Sequence, residues 1–426
     1  MSHKNLVLVT DASEKTALIV IRSLGCRGVK VVACGHEALS PGFLSKFCQL
    51  KITVPSLRKD KEKFQKAILR IVTRLPIELV IPVNEETCLA LAECKEELEE
   101  YCFVAVPELE ILLKSVDKGL SIRIAEEIGV PCPKTFFLED VDDIKEVSEE
   151  VSYPAVIKPR RKVIWVGKGF ITMKVNPENY VRSPSELVRK YRALVARYPF
   201  LSPDLLPLVQ EFVSGQGYGA EFLLSYRDGT LKAVFAHKRL REYPITGGVS
   251  TLRIGIKAPS LLELGLKLLR AMNWRGVAMV EFKVGPDGVP RLMEVNGRFW
   301  GSLPLAIASG VDFPFLLYLD IMGHDFKPVL NYRAGVMRRW LIPADVLWLL
   351  DSIASGCGLN CLLEFLRSFS VPDDVLSFED IPGSMGILFM ALKYMLDVMK
   401  GRRSLSGEIL PKLSPTPQLA QLSSQT

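Results

Sequence analysis

The stretch "RLMEVNGRFWGS" (291–302) sets a carboxylate, an amide and a guanidinium at alternate positions: Glu294, Asn296 and Arg298. A period of two puts these side chains on one face of an extended strand. Just upstream, "MVEFKVGPDGVP" carries Glu281 and a turn signal at Asp287-Gly288. A two-residue hairpin turn there sets Glu281 directly across from Glu294. Like charges at opposed positions are destabilising, so a bare pair asks for a reason. Two carboxylates and an amide oxygen, with no sulfur or imidazole nearby, suit a hard cation such as Mg²⁺, whose usual company is a substrate polyphosphate. The competing account is a solvent-facing strand whose charges alternate outward. On the hairpin alone the two accounts stand level; the Asn–Arg continuation and "FWG" favour a site.

The chain that must position this hairpin has 426 residues, enough for two or three domains. Its net charge of +6 comes from 54 basic and 48 acidic residues. No Lys/Arg block exceeds "PRRK" (159–162), so a nucleic-acid partner is not expected. Nine scattered cysteines without a C-x-x-C, and only four histidines, point to reduced thiols in a cytoplasmic protein rather than a disulfide framework or zinc site. "MSHKNLVLVTDASEK" meets charge too early for a signal peptide, and no uninterrupted apolar run reaches transmembrane length.

Strand and helix signals alternate at first: strands at 5–10, 29–34, 78–83 and 102–107, helices at 13–25, 59–75 and 85–99. Buried runs separated by helices predict a doubly wound parallel sheet of Rossmann-like type. The first β–α turn, Thr10-Asp-Ala-Ser13, lacks G-x-G-x-x-G, which weakens a dehydrogenase reading. A helix at 119–129 leads into short strands with hairpin signals and two further helices, 184–198 and 259–272, an α+β pattern. Apolar helices between 335 and 400 follow, and the Ser/Pro/Gln-rich end is expected to be disordered.

With these residues in hand, the chain resembles the ATP-grasp superfamily, in particular carboxylate–amine ligases like the ATP-binding module of carbamoyl phosphate synthetase. The resemblance covers roughly residues 1–330, and its most specific piece is "VEFKV…RLMEVNGRFWGS". It implies a Rossmann-like pre-ATP-grasp domain at 1–115. It also implies a two-lobed ATP-grasp domain at 116–330, with a lid at about 135–212 and a large lobe at about 213–330. A helical extension at 331–403 and a tail at 404–426 lie beyond the shared pattern. By the same resemblance, Lys118 in "SVDKG" and Lys158 in "YPAVIKPR" reach the ATP phosphates. "LVQEFVSGQGYGAEF" lies along the adenine through Gln210, Glu211, Phe212 and Val213, with Glu221 on the ribose or base. Glu281, Glu294 and Asn296 hold Mg²⁺, with Mn²⁺ as an alternative. Arg298, Lys238 and Arg239 neutralise the transferred phosphoryl group, and His237 is structural. The lid loop "RRKVIWVGKGF" departs from the family in carrying only two glycines, which leaves its closure over ATP open.

The implied reaction activates a carboxylate as an acyl phosphate and passes it to an amine. A nucleotide-binding regulatory or assembly protein and a carbamoyl-phosphate-synthetase-like kinase half are the alternatives. The apolar helices of 335–403 are read as a packed cap, a homodimer face or a peripheral membrane contact, and not as a span.

Overall fold

A computed structural model describes residues 5–245 and 247–401. The expected tail at 404–426 falls outside the described residues. Near the N-terminus, β1 (Leu6–Val9), β2 (Lys30–Gly35), β3 (Cys48–Thr53), β4 (Ile77–Ile81) and β5 (Phe103–Val104) form an all-parallel sheet in the order β3-β2-β1-β4-β5. Val7, Leu8, Val31, Val32, Leu79 and Val80 are wholly buried, because helices cover both faces of such a sheet. Strand order reverses between β1 and β4, which opens a crevice at their C-terminal ends. β3 has no counterpart in the sequence reading. As a mostly exposed edge strand, "CQLKIT" presents no apolar run to detect.

The next unit contains β6 (Thr135–Phe136), β7 (Ala155–Lys158), the hairpin of β8 (Val163–Val166) and β9 (Gly169–Thr172), β10 (Tyr180–Val181) and β11 (Leu208–Glu211). An antiparallel sheet of order β10-β7-β11-β6 encloses a separate small core built on Ile144, Ile157, Leu187, Tyr191 and Val209. Helix Pro184–Arg197 covers this core. Ser183 caps its first turn, Pro184 starts it with a pre-set φ, and Leu187 and Tyr191, four apart, face inward.

The largest sheet, of order β16-β15-β12-β13-β14-β17, is antiparallel throughout. Its strands are β12 (Gln216–Leu224), β13 (Leu231–Tyr243), β14 (Val249–Gly255), β15 (Gly276–Val284), β16 (Pro290–Asn296) and β17 (Met337–Arg339). β17 lies beyond the expected lobe end at 330. Its core is continuous with that of the N-terminal sheet.

Three helices follow, Val346–Ala354, Gly358–Arg367 and Ile381–Met399. Buried carboxylates tie them down. Asp345 accepts from Arg241 (3.1 Å), Arg339 (2.6 Å) and Thr251 (2.7 Å). Asp374 pairs with Arg253 and with Lys15 (3.1 Å), and Asp380 with Arg22 (2.8 Å). One expectation, that of reduced thiols throughout, is corrected here. Cys357 and Cys361 form a disulfide, a local bridge from the N-cap of helix Gly358–Arg367 to its first turn, while the other seven cysteines are free thiols. Residues Phe378–Met399 form one helix long and apolar enough by composition to cross a membrane, with mean hydropathy 1.3. Lys393 and Asp397 interrupt its apolar run without breaking the helix, so the reading that no uninterrupted run reaches that length stands. This helix packs along the N-terminal unit, with Gly386 so close to Pro41 that a Cβ would come within 2.5 Å.

Candidate active site

The hairpin β15–β16 brings Glu281 directly opposite Glu294, as expected, but by a different route. Val284 pairs with Pro290, so the loop is five residues long, not two. Gly288, with φ +72°, closes its turn by donating to Gly285 (3.0 Å). That loop alone would oppose Glu281 to Met293. A one-residue bulge beside Phe282 absorbs the difference and restores the Glu281–Glu294 and Met279–Asn296 pairs.

Asn296 bridges the two carboxylates, its amide nitrogen 3.0 Å from Glu281 and 3.2 Å from Glu294. Its oxygen accepts from Arg298 (3.0 Å), whose other nitrogen donates to the Phe299 carbonyl (2.8 Å). Arg239 on β13 pairs with Glu281, and Lys118 stands 3.5 Å from Glu294. Burial and the neighbouring Glu294 raise the Glu281 carboxyl despite Arg239. Burial also works against Glu294, but Lys118, the Asn296 hydrogen bond and the two arginines outweigh it and hold that carboxyl low. The pair therefore divides into one reluctant and one ready anion.

Two carboxylate groups meet on one face, a hard-oxygen donor set that fits a hard cation, while the lysine and arginines around them suit the negative charge of a polyphosphate. Asn296 joins as a ligand only with its amide reversed, since its oxygen now faces Arg298.

The glycines of "SGQGYGAEF" gain a physical account from the same sheet. A Cβ on Gly219 would lie 2.3 Å from the His237 ring, and one on Gly217 would lie 2.7 Å from Glu242 and 3.0 Å from Arg239. β12 is bare there so that long side chains of β13 can lie across it.

Other expected residues divide. Lys158 donates to the Gln210 side chain (2.5 Å), which is held in turn by Thr135 (2.8 Å). Burial, with Lys118 beside it, lowers the Lys158 ammonium to about 8. Gln210 thus meets the site through its side chain; its backbone lies on the central strand β11, paired on both sides. Phe212 is partly exposed next to Tyr180 and Lys283, and the Val213 carbonyl accepts from Lys283 (3.1 Å). Glu211 sits at the end of β11, its carboxylate 3.4 Å from the Ser152 amide.

Two placements differ from expectation. Glu221 is fully buried, 2.8 Å from His237 Nδ1 and 3.2 Å from the Ser302 hydroxyl. Burial raises its carboxyl, and burial with Arg239 and Arg253 lowers the His237 imidazole, so the surroundings disfavour the charged form of each. Lys238 alternates onto the face opposite Arg239 and lies 5.9 Å from the Tyr218 ring.

The sequence reading passed over Asp117, Arg160 and Arg161. "PRRK" stood out only as a short basic block, and nothing local signals that two of its members fold back onto a buried aspartate.

The part of the chain that holds the β15–β16 hairpin of this site is the part a family model matches. Residues 207–341 match the family model described as ATP-grasp in the biosynthetic pathway with Ter operon. The match runs past residue 330 and takes in β17. The chain is similar to the arginine-specific carbamoyl phosphate synthase large chain of Neurospora crassa, 24% identical over 253 residues, 53% of this chain and 20% of that protein. It therefore spans about a fifth of the length of that relative. It is also 24% identical over 225 residues to the D-alanine–D-alanine ligase of Pelotomaculum thermopropionicum, covering 48% of this chain and 66% of that enzyme. Among solved structures it resembles the biotin carboxylase domain of the Hydrogenobacter thermophilus 2-oxoglutarate carboxylase, whose structure holds MgADP and bicarbonate. The TM-score is 0.61 at 18% identity, over 79% of this chain and 74% of that one. The L-amino acid ligase of Bacillus licheniformis matches with a TM-score of 0.57 at 16% identity, over 75% of each chain.

Proposed function

We propose that the protein is an ATP-dependent carboxylate–amine ligase. The observation that carries this reading is the facing Glu281–Glu294 pair, bridged by Asn296 and ringed by Lys118, Arg239 and Arg298. A carboxylate oxygen attacks the γ-phosphorus of ATP, the bond to the ADP oxygen breaks, and an acyl phosphate forms. An amine nitrogen then attacks the acyl carbon, loses a proton and expels phosphate, leaving an amide. Glu281 and Glu294 would hold Mg²⁺, or Mn²⁺ in its place, which would supply neutralisation of the polyphosphate charge. Lys118 and Lys158 hold the phosphates as point charges, and Arg298 and Arg239 face the charge that develops on the transferred group. The Gln210–Val213 segment lies along the base. Catalysis of this kind is positioning and charge neutralisation and needs no side-chain nucleophile.

In this reading, residues 1–115 form a Rossmann-like pre-ATP-grasp domain, 116–330 with β17 the ATP-grasp domain, and the reaction is cytoplasmic. The exposed apolar side chains of helices 346–354, 358–367 and 381–399 support self-association through 335–403. The test of the reaction is release of ADP and phosphate that depends on an added carboxylate and amine. Glu294→Gln and Arg298→Ala should each lower that turnover by about a hundredfold or more, as loss of a transition-state contact does, with circular dichroism unchanged. ATP consumption undiminished in both variants refutes the site. Nucleotide binding without turnover for any acceptor pair would favour a regulatory protein.

A further inference from the structure

Asp117 is 1% exposed and gathers four donors. Its Oδ1 accepts from the amides of Gly119 (2.9 Å) and Leu120 (3.2 Å), capping helix Lys118–Glu127. Oδ1 also accepts from Arg160 Nε and Oδ2 from Arg161 Nε, each at 2.9 Å. The backbone adds a further tie, the Lys118 amide donating to the Arg160 carbonyl (3.0 Å). At Gly119 a Cβ would lie 2.8 Å from Arg160 Nε, so the small residue lets the arginine lie flat on the helix start.

This arrangement joins two elements that meet the nucleotide site separately. Lys118 begins the capped helix and points at Glu294. Lys158 ends β7, two residues before Arg160. We propose that Asp117 is a positioning residue for the nucleotide polyphosphate, locking Lys118 and Lys158 in one register so that both meet the same phosphates. The proposal rests on the ATP-dependent reading above. What sets Asp117 apart from a structural cap such as Asp380 is that its two arginines lie on the segment that carries Lys158, while its helix begins with Lys118.

The experiment compares ATP affinity, by calorimetry, and steady-state kinetics in the full chain. Asp117→Asn keeps a good capping side chain and removes the charge that holds both arginines. It should raise Kd and KM for ATP by about tenfold while kcat at saturating ATP stays within about threefold, a loss of uniform binding. Arg161→Gln, at a partly exposed position that folding tolerates, should move KM the same way by less. Asp380→Asn is the matched control. Asp380 is also a buried helix cap holding an arginine, Arg22, and the variant should lower the melting temperature with KM unmoved. If wild type binds ATP and Asp117→Asn and Arg161→Gln bind it equally well, Asp117 is structural only and the proposal falls. If wild type binds no ATP, the functional reading itself falls first.

Discussion

Lys158 shows how one residue's surroundings set a measurable pH dependence. Its ammonium is lowered to about 8, whereas a lysine in the unfolded chain keeps its proton to about 10.4. Between those values the unfolded chain binds the extra proton, so this residue makes stability rise with pH through that window. If Lys158 holds ATP phosphates as proposed, phosphate affinity runs the other way, because a neutral amine attracts no anion. KM for ATP should be flat below about pH 8 and climb above it, while Lys158→Met should give a high KM without that limb. A limb of equal size in the variant would remove Lys158 from the phosphate site. Of the site residues, those on the E-x-N-x-R strand were legible because period-two spacing is visible in one segment. Lys238 and Arg239, adjacent in sequence, were not separable until the register of β13 put them on opposite faces.

At the level of elements, β12 and β13 fit as glycine against side chain. Gly219→Ala should force the buried His237 ring to move and cost about 1–3 kcal/mol, the usual range for overpacking. In Gly219→Ala/His237→Ala the clash has no partner, so the added cost of the alanine should vanish; thermal melts around the double-mutant cycle read this directly. Additive costs would show that the glycine serves something other than the ring. The hairpin teaches a related lesson. Its pairing was foreseen correctly from a turn that does not exist, because the bulge compensates for the longer loop. The hairpin β8–β9 also has a definite place. Lys61 donates to the Lys168 carbonyl (2.7 Å), Trp165 lies under Lys61 (4.5 Å), and Phe170 lies under Arg58 (4.7 Å). The glycine-poor loop rests on the N-terminal unit, a contact between segments a hundred residues apart.

The whole molecule is held by charges that no local pattern announces. Asp345, Asp374 and Asp380 anchor the C-terminal helices to the largest sheet and to helix Lys15–Gly25 of the N-terminal unit, and breaking one such buried pair typically costs about 3–5 kcal/mol. Helix Gly358–Arg367 still turns an apolar stripe outward, with Leu359 at 76% exposure and Leu363 and Leu366 near half. Residues at i, i+4 and i+7 form one face of a helix. If that face joins two copies, light scattering should show a mass that rises with concentration to twice the monomer, and Leu359→Glu/Leu366→Glu should hold it at the monomer. A monomer at all concentrations that sediments with anionic vesicles would assign the face to a membrane surface instead.

The sequence by itself determined what depends on near neighbours. Alternation along β16, caps and apolar periodicity in the helices, and buried runs in β1, β2 and β4 each declare themselves within a few residues. Tertiary structure alone decided what depends on approach between distant segments. It set the bulge that pairs Glu281 with Glu294 and the burial of Glu221 against His237. It also brought Arg160 and Arg161 onto Asp117 and seated the C-terminal carboxylates. In each case the deciding quantity is a distance across the fold, which spacing along the chain does not encode.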